Sequence, residues 1–336
     1  MPEIRIVVAG YGNVGRGVLA ALKNNPDMKA VGVVSRNPER VKKSFNELPV
    51  MQIADTDCWI NELKPDVVIL CGGSKTERSM KILTVFLLFM AAFLPELAGY
   101  LKKKKLQDHV YFHCSDEPQE EHKKNNCYAA ELLKKYLGSF RIIDALSSVD
   151  FYRMGYVEYP VPIESHIETF IAENVPELWT YYCCGPAQIY PNRLIAMPSS
   201  RNRILGTLLY YFDLKGFLHW GFNFYYSQFS ICPIDPYRCT DADSAFPAGD
   251  PFVVYPGPGG VPEDSLRHEV FFEALQDQRA LQLLEKFMPR KKILALLNKS
   301  VSDGKMSMAN YPRGEQAVLG LRKKINTLLK KYADGN

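Results

Sequence analysis

VVAGYGNVGRG, residues 7–17, reads as the end of an apolar strand, a glycine turn and the start of a helix. Gly10, Gly12 and Gly15 fit G-x-G-x-x-G in that setting. In such a loop the first glycine makes the turn, the second lets backbone approach a pyrophosphate, and the helix N-terminus favours its charge. A purely structural turn would use the same glycines. IRIVVA (4–9) is the strand before the loop and KAVGVVS (29–35) the strand after the helix. NPERVKKSF (37–45) opens a second helix, with Asn37 as cap and Pro38 at its first position. VMQIAD, CWINELK and DVVILCGG (66–73) continue as strand, helix and strand. Strands alternating with short helices imply a parallel, helix-covered sheet. The second strand ends in Ser35-Arg36, with no acid for a ribose 2′-hydroxyl, and an arginine there favours a 2′-phosphate and hence NADP over NAD. The cofactor-binding candidates are Gly10, Gly12, Asn13, Val14, Gly15, Ser35 and Arg36.

The 336 residues are 47% hydrophobic and 23% charged, with a net charge of +4, too small to point to nucleic acid or an acidic membrane. The lysine run 102–105 reads as a solvated helix C-terminus. Eight cysteines show no C-x-x-C spacing, so free buried thiols and no metal site are expected. MPEIRIVVAG enters a strand directly, with no leader visible, which makes a cytoplasmic location the expectation. The longest apolar run, ILTVFLLFMAAFL (82–94), has 13 residues against the ~20 of a membrane span, so it reads as a buried helix.

Past Gly73 the rhythm changes. One long helix covers 76–104, and apolar strands follow at 110–114, 141–146, 161–167, 178–184 and 216–222. Helix patterns at 126–137 and 201–212 lie between them, so the strands make five β/α units, much of a (β/α)8 barrel. Residues 230–262 read as a long loop, 269–287 as a helix, and the remainder to Leu329 as helical around a loop near 302–314.

HCSDEP (113–118) ends the first of these strands in two adjacent carboxylates, Asp116 and Glu117. The C-terminal ends of barrel strands are where chemistry sits. Glycoside hydrolysis needs a proton donor for the leaving oxygen and stabilisation of positive charge at the anomeric carbon. Two neighbouring acids suit the variant in which the sugar's own 2-acetamido group attacks, one acid orienting the amide and the other donating the proton. That donor should occupy the drier position. His113, Asp144, His166, Trp179, Tyr181, Tyr182, His219, Trp220 and Asn223 lie on or at the ends of the same strands, with Asn192 and Arg193 in a following loop. Aromatic faces stack on sugar rings while His, Asn and Asp bind hydroxyls. These residues are the substrate-binding candidates, although each taken singly also fits a core or loop role.

Residues 85–332 resemble the catalytic domain of glycoside hydrolase family 123, the β-N-acetylgalactosaminidase-like group. The resemblance lies in FLPELAGYLKKKKLQDHVYFHCSDEP, RIIDAL, LWTYYCCGPAQIYPNRLIAMPSSRNR, GFLHWGFNFY, FPAGDPFVVYPGPGG and LRHEVFFEALQDQRALQLLE. It implies a carbohydrate substrate, no cofactor for hydrolysis, Asp116 on the acetamido nitrogen and Glu117 as general acid. Residues 1–80 resemble the NADP-binding start of diaminopimelate dehydrogenases in IRIVVAGYGNVGRGV, PDMKAVGVVSR and DVVILCGGSKTE. The family's first barrel strands and its N-terminal β-rich domain have no counterpart here. The expected fold is therefore α/β: a partial Rossmann-like parallel sheet (1–80) fused to a truncated (β/α)8 barrel (81–336), with its junction near 74–86. An NADP-dependent oxidoreductase and a non-catalytic fusion of two fragments are the alternative readings.

Overall fold

A computed structural model describes residues 3–71, 80–118 and 123–334. The end of the strand expected over 66–73, the start of the helix expected over 76–104 and part of the junction near 74–86 lie outside the described residues, as do the side chains of Asn13 and Val14. The chain divides into two compact units, Met1–Lys105 and Leu106–Asn336, whereas the sequence reading divides it at 80.

The first unit runs β1 (Ile4–Ala9), α1 (Asn13–Leu22), β2 (Met28–Ser35), α2 (Pro38–Lys42), β3 (Val50–Gln52), α3 (Thr56–Leu63), β4 (Val67–Leu70) and α4 (Met80–Lys103). Its strands form one parallel sheet in the order β3-β2-β1-β4. Successive strand side chains face opposite ways. Ile6, Val8 and Val33 therefore pack with Leu19, Leu22 and Val41 on one face, while Val7, Ala9 and Val34 pack with Trp59 and Leu63 on the other. Both faces being covered explains the unbroken apolar run in β1. Gly15 brings α1 close to the end of β1: a Cβ there would lie 1.9 Å from the Gly10 carbonyl oxygen. Among the described residues, no helix is long and apolar enough to cross a membrane.

In the second unit β5 (Tyr111–His113), β6 (Arg141–Ala145) and β7 (Tyr159–Val161) pair in parallel, as do β8 (Trp179–Tyr181) and β9 (Gly216–Leu218). A parallel bridge between Ile163 and Tyr181 joins the two sets, so the five strands follow one another in chain order as barrel strands do. They are shorter than expected. The strand expected over 161–167 ends at Val161, just before Pro162, and a 3₁₀ turn covers Glu164–His166. The Pro162 carbonyl instead accepts from the Tyr181 N–H (3.2 Å) and the Thr180 hydroxyl (2.8 Å).

The helices of this unit are α5 (Lys123–Leu137), α6 (Asp150–Arg153), α7 (Ile167–Ala172), α8 (Ser199–Arg203), α9 (Leu205–Tyr211), α10 (Leu266–Glu285), α11 (Arg290–Asn298) and α12 (Glu315–Ala333). The helix expected over 201–212 is thus two, α8 and α9, breaking at Ile204. The stretch expected as a loop over 230–262 holds half of a small antiparallel hairpin, β10 (Val254–Pro256) with β11 (Pro262–Asp264). Its Pro- and Gly-rich turn hid the pairing. Ser265 caps α10 by accepting from the His268 N–H at 3.2 Å, which starts that helix ahead of the expected residue 269.

The main core gathers Leu146, Phe151, Ile167, Phe170, Leu205 and Leu208 with Leu281, Leu284, Leu321 and Ile325. Buried Asp277 of α10 accepts from Arg203 of α8 at 2.9 Å and from Arg322 of α12, fastening three helices with one carboxylate. Helices α9 and α10 meet at Gly206, where a Cβ would lie 1.7 Å from the Ala274 carbonyl oxygen. Gly206→Ala must push the pair apart, and its urea midpoint is expected to report a loss of about 1–3 kcal/mol. An unchanged midpoint would show that the helices can separate freely.

Candidate functional site

Asp116 and Glu117 sit in the turn that follows β5, the strand at one end of the β5–β9 run. The turn is held from β6 and β8. The Glu117 N–H donates to the Ala145 carbonyl at 2.9 Å, and the Ser115 hydroxyl donates to the Asp144 carboxyl. The Tyr181 hydroxyl donates to the Glu117 carboxyl. Burial first, then this bond, push the Tyr181 phenol well above its usual range, so it stays a donor. Glu117 has φ of 45°, the left-handed region, which costs a non-glycine residue about 1–2 kcal/mol. The bonds to Ala145 and Tyr181 offset that cost.

Asp144 is 0% exposed, in the middle of a strand whose neighbours Ile142, Ile143 and Ala145 are all buried. Its carboxyl is pushed up to about 6, chiefly by burial, with the Asp116 charge adding to the rise and Ser115 and His113 opposing it. The His113 Nε2 lies 3.6 Å from Asp144 Oδ1. Asp116 and Glu117 are exposed, so the drier position expected for Glu117 belongs to Asp144. The reason is local: β6 runs through the packed interior, whereas the turn stands clear of the strand ends.

The remaining candidates separate into groups. Tyr181 and Tyr182 are neighbours on one chain segment and so face opposite ways. Tyr181 packs with Ile143, Ala145 and Val161 beside the carboxylate turn, while Tyr182 is 0% exposed in the main core, with its hydroxyl 3.4 Å from Asn202 Oδ1. Trp179 stacks at a tilt on Tyr111, ring centres 5.1 Å apart.

Asn192 and Arg193 are buried rather than rim residues. The Asn192 amide donates to the carbonyls of Cys183 (2.9 Å) and Pro186 (3.0 Å). The Arg193 guanidinium donates to the carbonyls of Trp220 (3.0 Å) and Asp250 (2.9 Å), lies over the Tyr182 ring and pairs with Asp250 Oδ1 at 3.5 Å. The Trp220 indole N–H donates to Asp250 Oδ2 at 3.0 Å. The Cys184 thiol reaches the same oxygen at 3.3 Å. Loops 183–193, 219–221 and 250–252 thus meet on one ion pair.

His219 lies among Phe217, Phe222 and Phe271, and burial lowers it to about 3, so it is neutral at ordinary pH. His166 and Asn223 are exposed. The ring of the first lies 3.1 Å from the Ser165 hydroxyl, and the second bridges to Phe252.

Sequence reasoning passed over Ser115, Cys184, Asp250 and Glu164. Glu164 is 1% exposed, both its carboxyl oxygens lack a hydrogen-bond partner among the described residues, and burial raises it well above the usual carboxyl range. The one available signal was polar residues set inside apolar runs, as in VPIESHI and AGDPFVV.

In the first unit, Gly10 (φ 110°) turns the chain from β1 and Gly12 caps α1, whose first turn has neither a side-chain cap nor an acid. A Cβ on Gly12 would meet nothing within 4 Å. The backbone there faces open space suited to an anionic group. Ser35 ends β2 and Arg36 is exposed beside it. A cavity of about 520 Å³ in the unit is lined by Tyr11 and Arg16 of the loop and helix start and by Leu19, Lys23, Met28 and Phe45, among others. Among the described residues, no cluster of His, Cys, Asp and Glu could hold a metal ion.

Two architectures are therefore present: a glycine-loop parallel sheet, and a parallel β/α run bearing an acid pair at a strand end. The family model for the glycoside hydrolase 123 catalytic domain matches residues 79–284, more than half of the chain, and the protein belongs to that family. The model for the oxidoreductase family NAD-binding Rossmann fold matches residues 4–85. Residues of the first unit are 43% identical over 77 residues to the meso-diaminopimelate D-dehydrogenase of Ureibacillus thermosphaericus, covering 23% of each chain. The Acetivibrio thermocellus enzyme of the same name is 31% identical over 125 residues, covering 37% of this chain and 35% of its own. The chain thus spans under half the length of these dehydrogenases. Among solved structures, a family 123 glycoside hydrolase from Clostridium perfringens, studied for glycolipid glycan hydrolysis, shares the fold with a TM-score of 0.53. That match has 15% identity over 98% of this chain and 70% of the other.

The Asp144 carboxyl is more readily protonated in the folded protein than in the unfolded chain, where it titrates at about 3.9. Its contribution to stability is complete below that value and is lost as the pH rises through about 6. Unfolding free energy should fall by on the order of 2–3 kcal/mol between about pH 4 and about pH 7 from this group alone. Asp144→Asn should flatten that part of the profile; an identical profile in the variant would place the titration elsewhere.

Proposed function

We propose that the second unit hydrolyses N-acetylated β-hexosaminides, of the N-acetylgalactosamine type, by substrate-assisted catalysis. The observation that carries this is the pair Asp116-Glu117 at the end of β5, inside the family-matched segment, with Tyr181 and Ser115 bonded so as to fix the turn. Glu117 gives its proton to the glycosidic oxygen as the C1–O bond breaks. The oxygen of the substrate's acetamido group closes on C1, and Asp116 accepts a hydrogen bond from the amide N–H, favouring the positive charge that develops there. Water then opens the cyclic intermediate, with Glu117 taking the water's proton as base. Tyr181 holds the Glu117 carboxyl in one orientation through both steps. Release of nitrophenol from an N-acetyl-β-galactosaminide should occur, should drop at least about 100-fold in Glu117→Gln, and should be absent for the 2-hydroxy analogue. No release from the parent protein at any pH would overturn this reading.

A second reading concerns the first unit alone: it binds NADP. The open space above Gly12 and the uncapped start of α1 support a diphosphate there, and Arg36 fits a 2′-phosphate. When bound, the cofactor would supply hydride chemistry. Because a Cβ at 12 meets no protein atom within 4 Å, Gly12→Val should fold normally yet lose at least tenfold in NADPH affinity, about 1.4 kcal/mol, by fluorescence titration. Equal affinity in the variant would reject the loop as the binding site.

A further inference from the structure

Asp144 belongs to the set expected to bind substrate, yet its carboxyl is wholly enclosed and meets protein groups instead. One oxygen accepts from the Ser115 hydroxyl and the other faces His113 Nε2 at 3.6 Å. Both partners flank or precede the acid pair, and the next residue of β6, Ala145, receives the Glu117 N–H at 2.9 Å. We propose that Asp144 is a positioning residue: with Ser115 it anchors the turn from beneath, so that Asp116 and Glu117 stand in working orientation. The role as it bears on turnover rests on the hydrolase reading above; the anchoring itself does not.

The physical case is one of alternatives. A buried carboxyl in an apolar strand must be hydrogen-bonded, or its burial costs several kcal/mol. Ser115 is the side chain that satisfies Asp144 Oδ2, and it sits one residue before Asp116, so the penalty for releasing Asp144 is transmitted to the acid pair. Glu117 in turn holds a left-handed backbone conformation that an unanchored turn would relax. The β5–β6 pairing ends at His113–Ile143, so beyond it the bonds from Asp144 and Ala145 take over the role of the ladder.

The test uses Ser115→Ala, Asp144→Asn and the hydroxyl-restoring Ser115→Thr in the full chain, with two readouts. Amide hydrogen exchange should show the Glu117 N–H exchanging about tenfold faster in Ser115→Ala and Asp144→Asn, with α10 amides unchanged, and near-parental protection in Ser115→Thr. Turnover of the N-acetyl-β-galactosaminide should lose about 10- to 100-fold in kcat with KM within about threefold, and Ser115→Thr should recover most of it. Unchanged Glu117 exchange in Ser115→Ala overturns the anchoring, whatever happens to activity. Faster exchange with a parent that releases no nitrophenol leaves the anchor standing and removes the hydrolase reading instead. A rise in KM with kcat intact would make Asp144 a binding determinant and defeat its positioning role.

Discussion

A carboxyl sealed inside β6 constrains the second unit more than any apolar contact does. Ile142, Ile143 and Ala145 around Asp144 are where they are because they are apolar; Asp144 is there at a cost of desolvation and must find partners. The nearest groups that can serve are on the segment leaving β5. The turn carrying Asp116 and Glu117 is therefore pinned by the same demand that keeps Asp144 from being an isolated buried charge. Packing of α9 on α10 and the Asp277 junction keep the frame rigid around it. The chemistry of the acids is then decided by which of them the frame covers and which it leaves to solvent.

The other half of the site follows from the two-residue period of β8. Tyr181 turns toward the acids, and Tyr182, one position on, goes into the main core with Arg193 across its ring. One short strand thus couples the catalytic candidates to the ion-pair hub of Arg193 and Asp250. The interest of the first unit lies at a helix start, where glycines expose backbone instead of side chains.

Much of the architecture was legible because its determinants are local. Alternating apolar runs, Pro38 after Asn37 and the spacing of Gly10, Gly12 and Gly15 mark strands, a helix start and a tight turn whatever surrounds them. Strand lengths were not legible, since the end of β7 is set by Pro162 giving its carbonyl to a strand still to come. The site was half legible. Asp116 and Glu117 announce themselves as a pair, and Tyr181 as a polar aromatic on a strand. The roles of Asn192 and Arg193 could not be read, because nothing in a loop sequence turns a residue from solvent until the carbonyls it must satisfy are placed. Asp250 sits in a stretch rich in Gly and Pro, where an aspartate ordinarily signals a turn, and nothing short of the fold shows that it meets Arg193 and Trp220.

The guanidinium of Arg193 donates to the main-chain oxygens of residues 220 and 250 and pairs with the Asp250 carboxylate, and this bears on how the two loops can vary. Those carbonyls are present whatever residue occupies 220 or 250, but only an acid at 250 neutralises the buried guanidinium. Both bonds leave one nitrogen, Nη2, while the flat guanidinium also lies over the Tyr182 ring, a stacking that a lysine ammonium would not reproduce. The two loops are consequently locked in spacing, so insertions are tolerated only outside the span that one arginine can bridge.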